Sequence, residues 1–244
     1  MPGYSRGALP LRPWCRAAQR LKIADPGSDA ATRPVRRRAY ARAVETGRLE
    51  AFADGVFAIA ATLLIIDVTV PARSATLGHA VVHAWPEYAA YAVSFVTIGI
   101  MWLNHHQCLR QIGALDRTFM VLNLFLLMCI AFVPFPTRLV ALHLRDGGER
   151  TAALTYGATL TLTAVCFAAF WFYAARNNRL IAEDADPRLI KGISRSYLPG
   201  APIYGSATLV ALWHARLAVA LFAAIAVFYV VESSLFARVA PERE

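Results

Sequence analysis

Charge is what this 244-residue chain has least of: Asp, Glu, Lys and Arg make up 17% of it, against 57% hydrophobic residues and a mean hydropathy of +0.45. Soluble domains carry about 25% charged residues, so a chain that is water-exposed throughout is excluded. Cysteine is scarce as well. Cys15, Cys108, Cys129 and Cys166 form no CxxC pair and lie far apart, which speaks against a disulfide framework or a zinc ribbon. Cys129 and Cys166 fall inside apolar runs, where a thiol packs as a small hydrophobe. No HExxH pattern is present to put two histidines and a base on one helix face. The small-residue cleavage site that follows the apolar core of a secretory signal peptide is also missing. No long polar linker and no internal repeat divides the apolar region, which predicts one domain.

What replaces charge is apolar length. A hydrocarbon core of roughly 30 Å takes about 20 apolar residues per helix, and uncharged runs extend from Tyr88 to Leu109, Thr118 to Thr137, Thr151 to Ala175 and Ser196 to Ala215. A shorter run, Leu217 to Val231, extends at both ends. The segment "RLEAFADGVFAIAATLLIIDVTVP", residues 48 to 71, comes before them, although Asp54 and Asp67 bracket only twelve uncharged residues. The expectation is an all-α membrane protein with six transmembrane helices. Pro71 ends the first, and "PFPT" at 134 to 137 bends or ends the third, because proline removes a backbone donor and crowds the preceding turn. Residues 182 to 202 form the largest internal loop, with a short amphipathic piece.

Lys and Arg favour the cytoplasmic side of spans, and an even number of spans puts both termini on one side. With that side inside, the tail to Arg48, residues 107 to 117, residues 176 to 195 and the C-terminal end hold all but five of the 25 basic residues; Arg73, Arg138, Arg145, Arg150 and Arg216 remain outside. Both termini are predicted to be cytoplasmic. The net charge of +9 is concentrated in the first 48 residues, where eleven basic groups face Asp25, Asp29 and Glu45. Such a juxtamembrane segment sets topology and meets anionic headgroups, and nucleic acid is not an expected partner. The domain reading is a basic, disordered cytoplasmic tail over 1–46, a six-helix domain over 47–236, and a short cytoplasmic C-terminus over 237–244.

On a helical wheel centred on Ile59, the residues Phe52, Gly55, Thr62, Leu63 and Ile66 all fall within about 60° of it. Asp54 lies about 140° away, on the side expected to meet the subunit's other helices. An acid at the edge of a bilayer core is costly unless paired, so Asp54 calls for a partner. By composition alone, the aliphatic face meets lipid or a neighbouring helix.

The run Arg48-x-x-x-Phe52-Ala53-Asp54, followed by "GVFAIAATLL", resembles the Arg-x-x-x-Phe-Ser-Asp signature on the first helix of the transmembrane protein 175 family, the potassium channels of endosomes, lysosomes and bacteria. "MWLNHHQ" at 101 to 107 and "NLFLLMCIAFVPFPT" at 123 to 137 are similar to the second and third helices of bacterial members. The likeness covers roughly residues 46 to 236. It implies a six-helix unit of the bacterial single-repeat type, in the cell membrane of a bacterium, that assembles as a homotetramer around a pore lined by the first helix. It further implies a potassium-permeable cation channel with no cofactor beyond the permeant ion and no enzymatic activity. The family has no TVGYG-type filter, and this sequence has none. Its pore narrows at stacked aliphatic rings, matched here by Ile59, Leu63 and Ile66, with Thr62 as a hydroxyl ring that favours potassium. A narrow apolar ring gates by dewetting. The signature serine is Ala53 in this chain, which removes one hydrogen bond the motif makes elsewhere.

Asn104, His105 and His106 close the second helix on the side where Arg48 and Asp54 open the first. A supporting network is expected there, with Asp54 accepting from a histidine or from Trp102. Adjacent histidines also fit a metal or a proton relay, as do His79 and His83 at i, i+4. A zinc site needs three or four ligands, and none is assigned. The threonines of the fourth helix are expected to bond to helix carbonyls. Asp67, at the outer end of the first helix, either concentrates cations at the mouth or is simply hydrated. Because intramembrane acids and histidines also serve proton relays, the alternative function is a proton-leak pathway or an ion-coupled secondary transporter.

Overall fold

The computed structural model describes the backbone of residues 33–66, 68, 77–144 and 147–239, and side chains within 46–66, 81–144 and 147–231 and at 68 and 78. The chain divides into two units, Met1–Ala41 and Arg42–Glu244. Of the first, only residues 33–41 are described, and they are helical. Asp67, Pro71 and the side chain of His79 lie outside the described residues, as does the tail before Arg33.

Among the described residues the fold is all-α. The helices are α1 (Arg33–Ile66), α2 (Leu77–His83), α3 (Trp85–Leu109), α4 (Arg117–Phe132), α5 (Pro134–His143), α6 (Glu149–Ala175), α7 (Pro187–Tyr197), α8 (Gly200–Val210) and α9 (Ala215–Val239). An antiparallel bridge joins Ile112 to Ile181. Helix α6 runs through the centre and packs most extensively against α8 and α4. Its buried face carries Tyr156, Leu160, Phe167, Phe170 and Trp171. Gly157 permits the close approach of α8 and α9: a Cβ there would lie 2.7 Å from the Phe222 ring and nearer still to Thr208 Oγ1. The threonines of α6 do bond back along the helix, Thr155, Thr159, Thr161 and Thr163 each donating to the carbonyl four residues earlier.

One expectation changes. The run from Ser196 to Ala215 is not one span. Ser196 and Tyr197 finish α7, a turn at Leu198–Pro199 follows, and α8 has 11 residues, about 16 Å at 1.5 Å per residue. Hydropathy over that run could not register the Leu198-Pro199-Gly200 break. Among the described residues, three helical stretches are long and apolar enough to cross a membrane, Thr46–Ile66, Arg117–His143 and Glu149–Asn178, and Ala215–Val231 is a shorter apolar one. The second includes the break at Val133, where Pro134 and Pro136 open α5.

Candidate functional site: the first helix and its polar support

Helix α1 touches the rest of the subunit along one narrow stripe. Ala53, Phe57, Ala60 and Leu64, spaced at i, i+4, i+7 and i+11, are buried, which is the helical period of a single contact face. Small Ala53 and Ala60 alternate with large Phe57 and Leu64, so this face both admits and inserts side chains. The opposite face is uncovered. Ile59 is 61% exposed, Leu63 41%, Ile66 69% and Phe52 54%, with Gly55 and Thr62 exposed among them. The apolar window of α1 is 22% buried, against 44% for the stretch from Arg117 to His143. More of its apolar surface is therefore left for something outside the subunit to cover. Thr62 Oγ1 donates to the Ile59 carbonyl at 3.0 Å, which leaves the hydroxyl oxygen able to accept or to meet a cation.

The polar residues at the start of α1 meet the end of α3. Trp102 Nε1 donates to Asp54 Oδ1 at 2.8 Å, and His106 Nδ1 lies 2.8 Å from Glu50 Oε1. The Trp102 and His106 rings stack at 6.0 Å between centroids. One turn of α3 thus holds two acids one turn apart on α1, and the stacked rings keep both contacts in register. Arg48 lies exposed on the turn before.

The two adjacent histidines face different surroundings. His105 is buried, its Nε2 2.8 Å from Asn123 Oδ1. Its ring lies 5.4 Å from Phe57 and 5.5 Å from Phe170. Asn123 is wholly buried, and its Nδ2 has no partner among the described residues. His105 and His106 are therefore split between the core and the α1 edge, and do not converge on one ion. Asn104 takes part through its backbone carbonyl, which accepts from Tyr197 Oη at 3.3 Å.

Of the residues singled out from the sequence, Asp54, Trp102 and His106 come together, His105 joins the core behind α1, and Ile59, Thr62, Leu63 and Ile66 share the free face. Glu50, Asn123, Phe57 and Phe170 were not singled out. Glu50 was readable in principle, since it precedes Asp54 by four residues and shares its face. Asn123 was not, because its pairing joins residues on separate helices.

A second cluster closes the same end of the bundle. Asp116 caps α4 by accepting from the Phe119 amide at 2.8 Å. Its Oδ2 accepts from Tyr173 Oη at 2.7 Å and lies 3.3 Å from Arg179 Nη2, whose guanidinium covers the Tyr173 ring. Partial burial pushes the Asp116 carboxyl up, but the Tyr173 hydroxyl, the Phe119 amide and Arg179 together hold it below the ordinary carboxylate value. The Gly113 amide donates to the Leu180 carbonyl at 2.8 Å, and a Cβ on Gly113 would stand 2.7 Å from the Ala182 backbone. This pins the α3–α4 loop to the segment after α6.

A family model described as endosomal/lysosomal potassium channel TMEM175 matches residues 48–134. A potassium channel of Streptomyces collinus is 47% identical over 148 residues, covering 59% of this chain and 70% of that one. A potassium channel of Chamaesiphon minutus is 36% identical over 194 residues, covering 78% of this chain and 96% of that one. Among solved structures, the crystal structure of a lysosomal potassium-selective channel TMEM175 homologue from Chamaesiphon minutus superposes with a TM-score of 0.71 at 34% identity, over 78% of this chain and 98% of that one.

Proposed function

The chain belongs to the TMEM175 family of membrane channels, and on that premise we propose that it is a potassium-permeable cation channel whose pore is lined by α1. It is a multi-pass membrane protein and not an enzyme. The observation that carries the reading is the two-sided character of α1: a buried stripe of Ala53, Phe57, Ala60 and Leu64, and an uncovered aliphatic face of Ile59, Leu63 and Ile66. Lipid alone could cover such a face. The signature residues Arg48, Phe52 and Asp54, together with potassium-channel relatives at 36% and 47% identity, favour a pore.

In this reading four copies surround an axis, and the rings of Ile59, Leu63 and Ile66 form the gate. A ring of four such side chains keeps out a hydrated ion until it widens. Thr62 supplies hydroxyls at the same depth, which replace part of the hydration lost there. No TVGYG filter takes part. Six helices cross the membrane of a bacterial cell, with both termini in the cytoplasm and residues 47–236 as the channel domain. The Asp54–Trp102 and Glu50–His106 contacts hold α1 from behind at the cytoplasmic mouth. Asp67 belongs at the outer mouth, and the basic segment before α1 lies against anionic headgroups.

The test is potassium flux from proteoliposomes of the purified protein, read with a voltage-sensitive dye under a potassium gradient. A channel dissipates the gradient without a second ion. The Ile59→Ala variant is expected to raise the leak severalfold. Flux that demands a counter-ion would favour the transporter reading, and unchanged flux in Ile59→Ala would remove Ile59 from the constriction.

A further inference from the structure

A cavity of about 430 Å³ opens between α3, α5, α6 and α9, at the end of the bundle where α3, α6 and α9 begin. Its walls are almost wholly apolar, and Ala89, Ala90, Ala220 and Ala223 flatten two of them into a slot. The polar groups at its floor already serve one another. Thr137 Oγ1 donates to Ser94 Oγ and to the Val133 carbonyl, and Ser94 Oγ lies 3.1 Å from Tyr156 Oη. The floor therefore asks nothing polar of an occupant, and apolar cavities do not hold water. An engineered apolar cavity of about 150 Å³ takes one benzene, so this one has room for an alkyl chain of roughly a dozen or more carbons.

The rim is different. Arg216 lines it and is largely exposed. Only its Nε is engaged in the 2.8 Å contact with Glu149, which leaves the Nη groups for an anion. Arg150, next to Glu149, donates to the carbonyl of Leu212, four residues before Arg216. Trp85 also lines the cavity, and both it and Trp213, three residues before Arg216, are well exposed. Exposed Trp beside Arg is the pattern of a membrane–water interface. The apolar slot, Arg216 and Trp85 thus share one cavity, with Trp213 three residues before Arg216.

We propose that this cavity is a lipid site, taking one acyl chain of an anionic phospholipid with the phosphate held by Arg216. The site rests on the chain being embedded in a bilayer and not on where the gate is. A chain seated there fills the junction of four helices, so its occupancy is a means by which bilayer composition reaches the bundle.

The test is native mass spectrometry of the full-length protein, delipidated in neutral detergent and titrated with phosphatidylglycerol or phosphatidylcholine of identical chains. The expected result is saturable binding that favours phosphatidylglycerol about fivefold, as one basic contact provides. Arg216→Gln should abolish that preference while retaining binding, and Ala220→Phe should reduce binding of both lipids. Equal binding of the two lipids by the parent protein, or a folded Ala220→Phe variant that binds as before, would overturn the site. If Ala220→Phe does not fold, phosphatidylglycerol with brominated chains gives a second readout. It should quench tryptophan fluorescence saturably, and Trp85→Phe should lose that component; quenching unchanged by Trp85→Phe overturns the site. Potassium flux measured on the same preparation keeps the two readings apart. Selective lipid binding without flux would support the site while counting against the channel.

Discussion

Asp54 shows why a single acid can be kept at the edge of a membrane helix. Its carboxylate accepts the indole N–H of Trp102, and a hydrogen bond to a charged group is worth about 1.5–3 kcal/mol. Trp102→Phe keeps a ring for His106 to stack on and removes only the donor. It is expected to lower the thermal midpoint of the protein in detergent by several degrees, as about 2 kcal/mol does for a chain of 150–250 residues. Asp54→Asn keeps an acceptor oxygen and should cost less; a larger loss for Asp54→Asn than for Trp102→Phe would contradict this account of the contact. The need for a partner was legible in the sequence from the cost of a lone acid, and Trp102 was among those named for it. The allocation was not legible. His105 and His106 are neighbours in sequence, yet successive helical residues point about 100° apart, which sends one into the core and the other to Glu50.

Asp116 makes a separate prediction on pH. A carboxyl whose folded value is depressed contributes stability above its unfolded value, near 3.9, and loses it as pH falls through the folded one. Stability of the parent protein should therefore fall as pH drops below about 4. Asp116→Asn should flatten that dependence while sparing the cap on Phe119, since Asn is as good an N-cap as Asp. Melting curves from pH 3 to 7 check it; an acid response of equal size in Asp116→Asn would assign the response to other groups.

At the scale of elements, α1 is a helix whose two faces have different tasks. The buried side is closely fitted, with Ala60 and Ala53 wholly enclosed. Ala60→Leu pushes three further carbons into that contact and should cost about 1–3 kcal/mol, visible as a lowered midpoint. A change of the same size on the free face, at Ile59, should leave the midpoint almost unmoved and alter flux instead. If Ala60→Leu is as stable as the parent, α1 is not seated on this stripe. The face around Ile59 was readable from the helical period, whereas which side meets the other helices was not readable from composition, because both sides of α1 are apolar. The extent of the helices was less so. Hydropathy sees the missing charges between Ser196 and Ala215 and not the turn at Leu198–Pro199.

At the scale of the whole molecule, the subunit is built around α6, with α1 set against one edge and exposing an aliphatic strip. Family membership makes this a channel subunit, and the strip is where further copies are proposed to close a pore. The seated end of α1 is tied by Trp102 and His106, so a motion that widens the aliphatic rings is expected to pivot about that end. The family was legible because a short signature falls on the helix that carries the proposed pore. The cavity beside Arg216 was not, since it is assembled from four helices and no run of sequence contains it.

The central claim is that the Ile59 face of α1 borders the ion path. Potassium flux in proteoliposomes, with Ile59→Cys and Ala60→Cys treated with a small charged thiol-reactive reagent, tests it most directly. The reagent should sharply change flux through Ile59→Cys and leave the parent, with its own four cysteines, and the buried Ala60→Cys as they were. Complete labelling at position 59 with no change in flux would contradict the account.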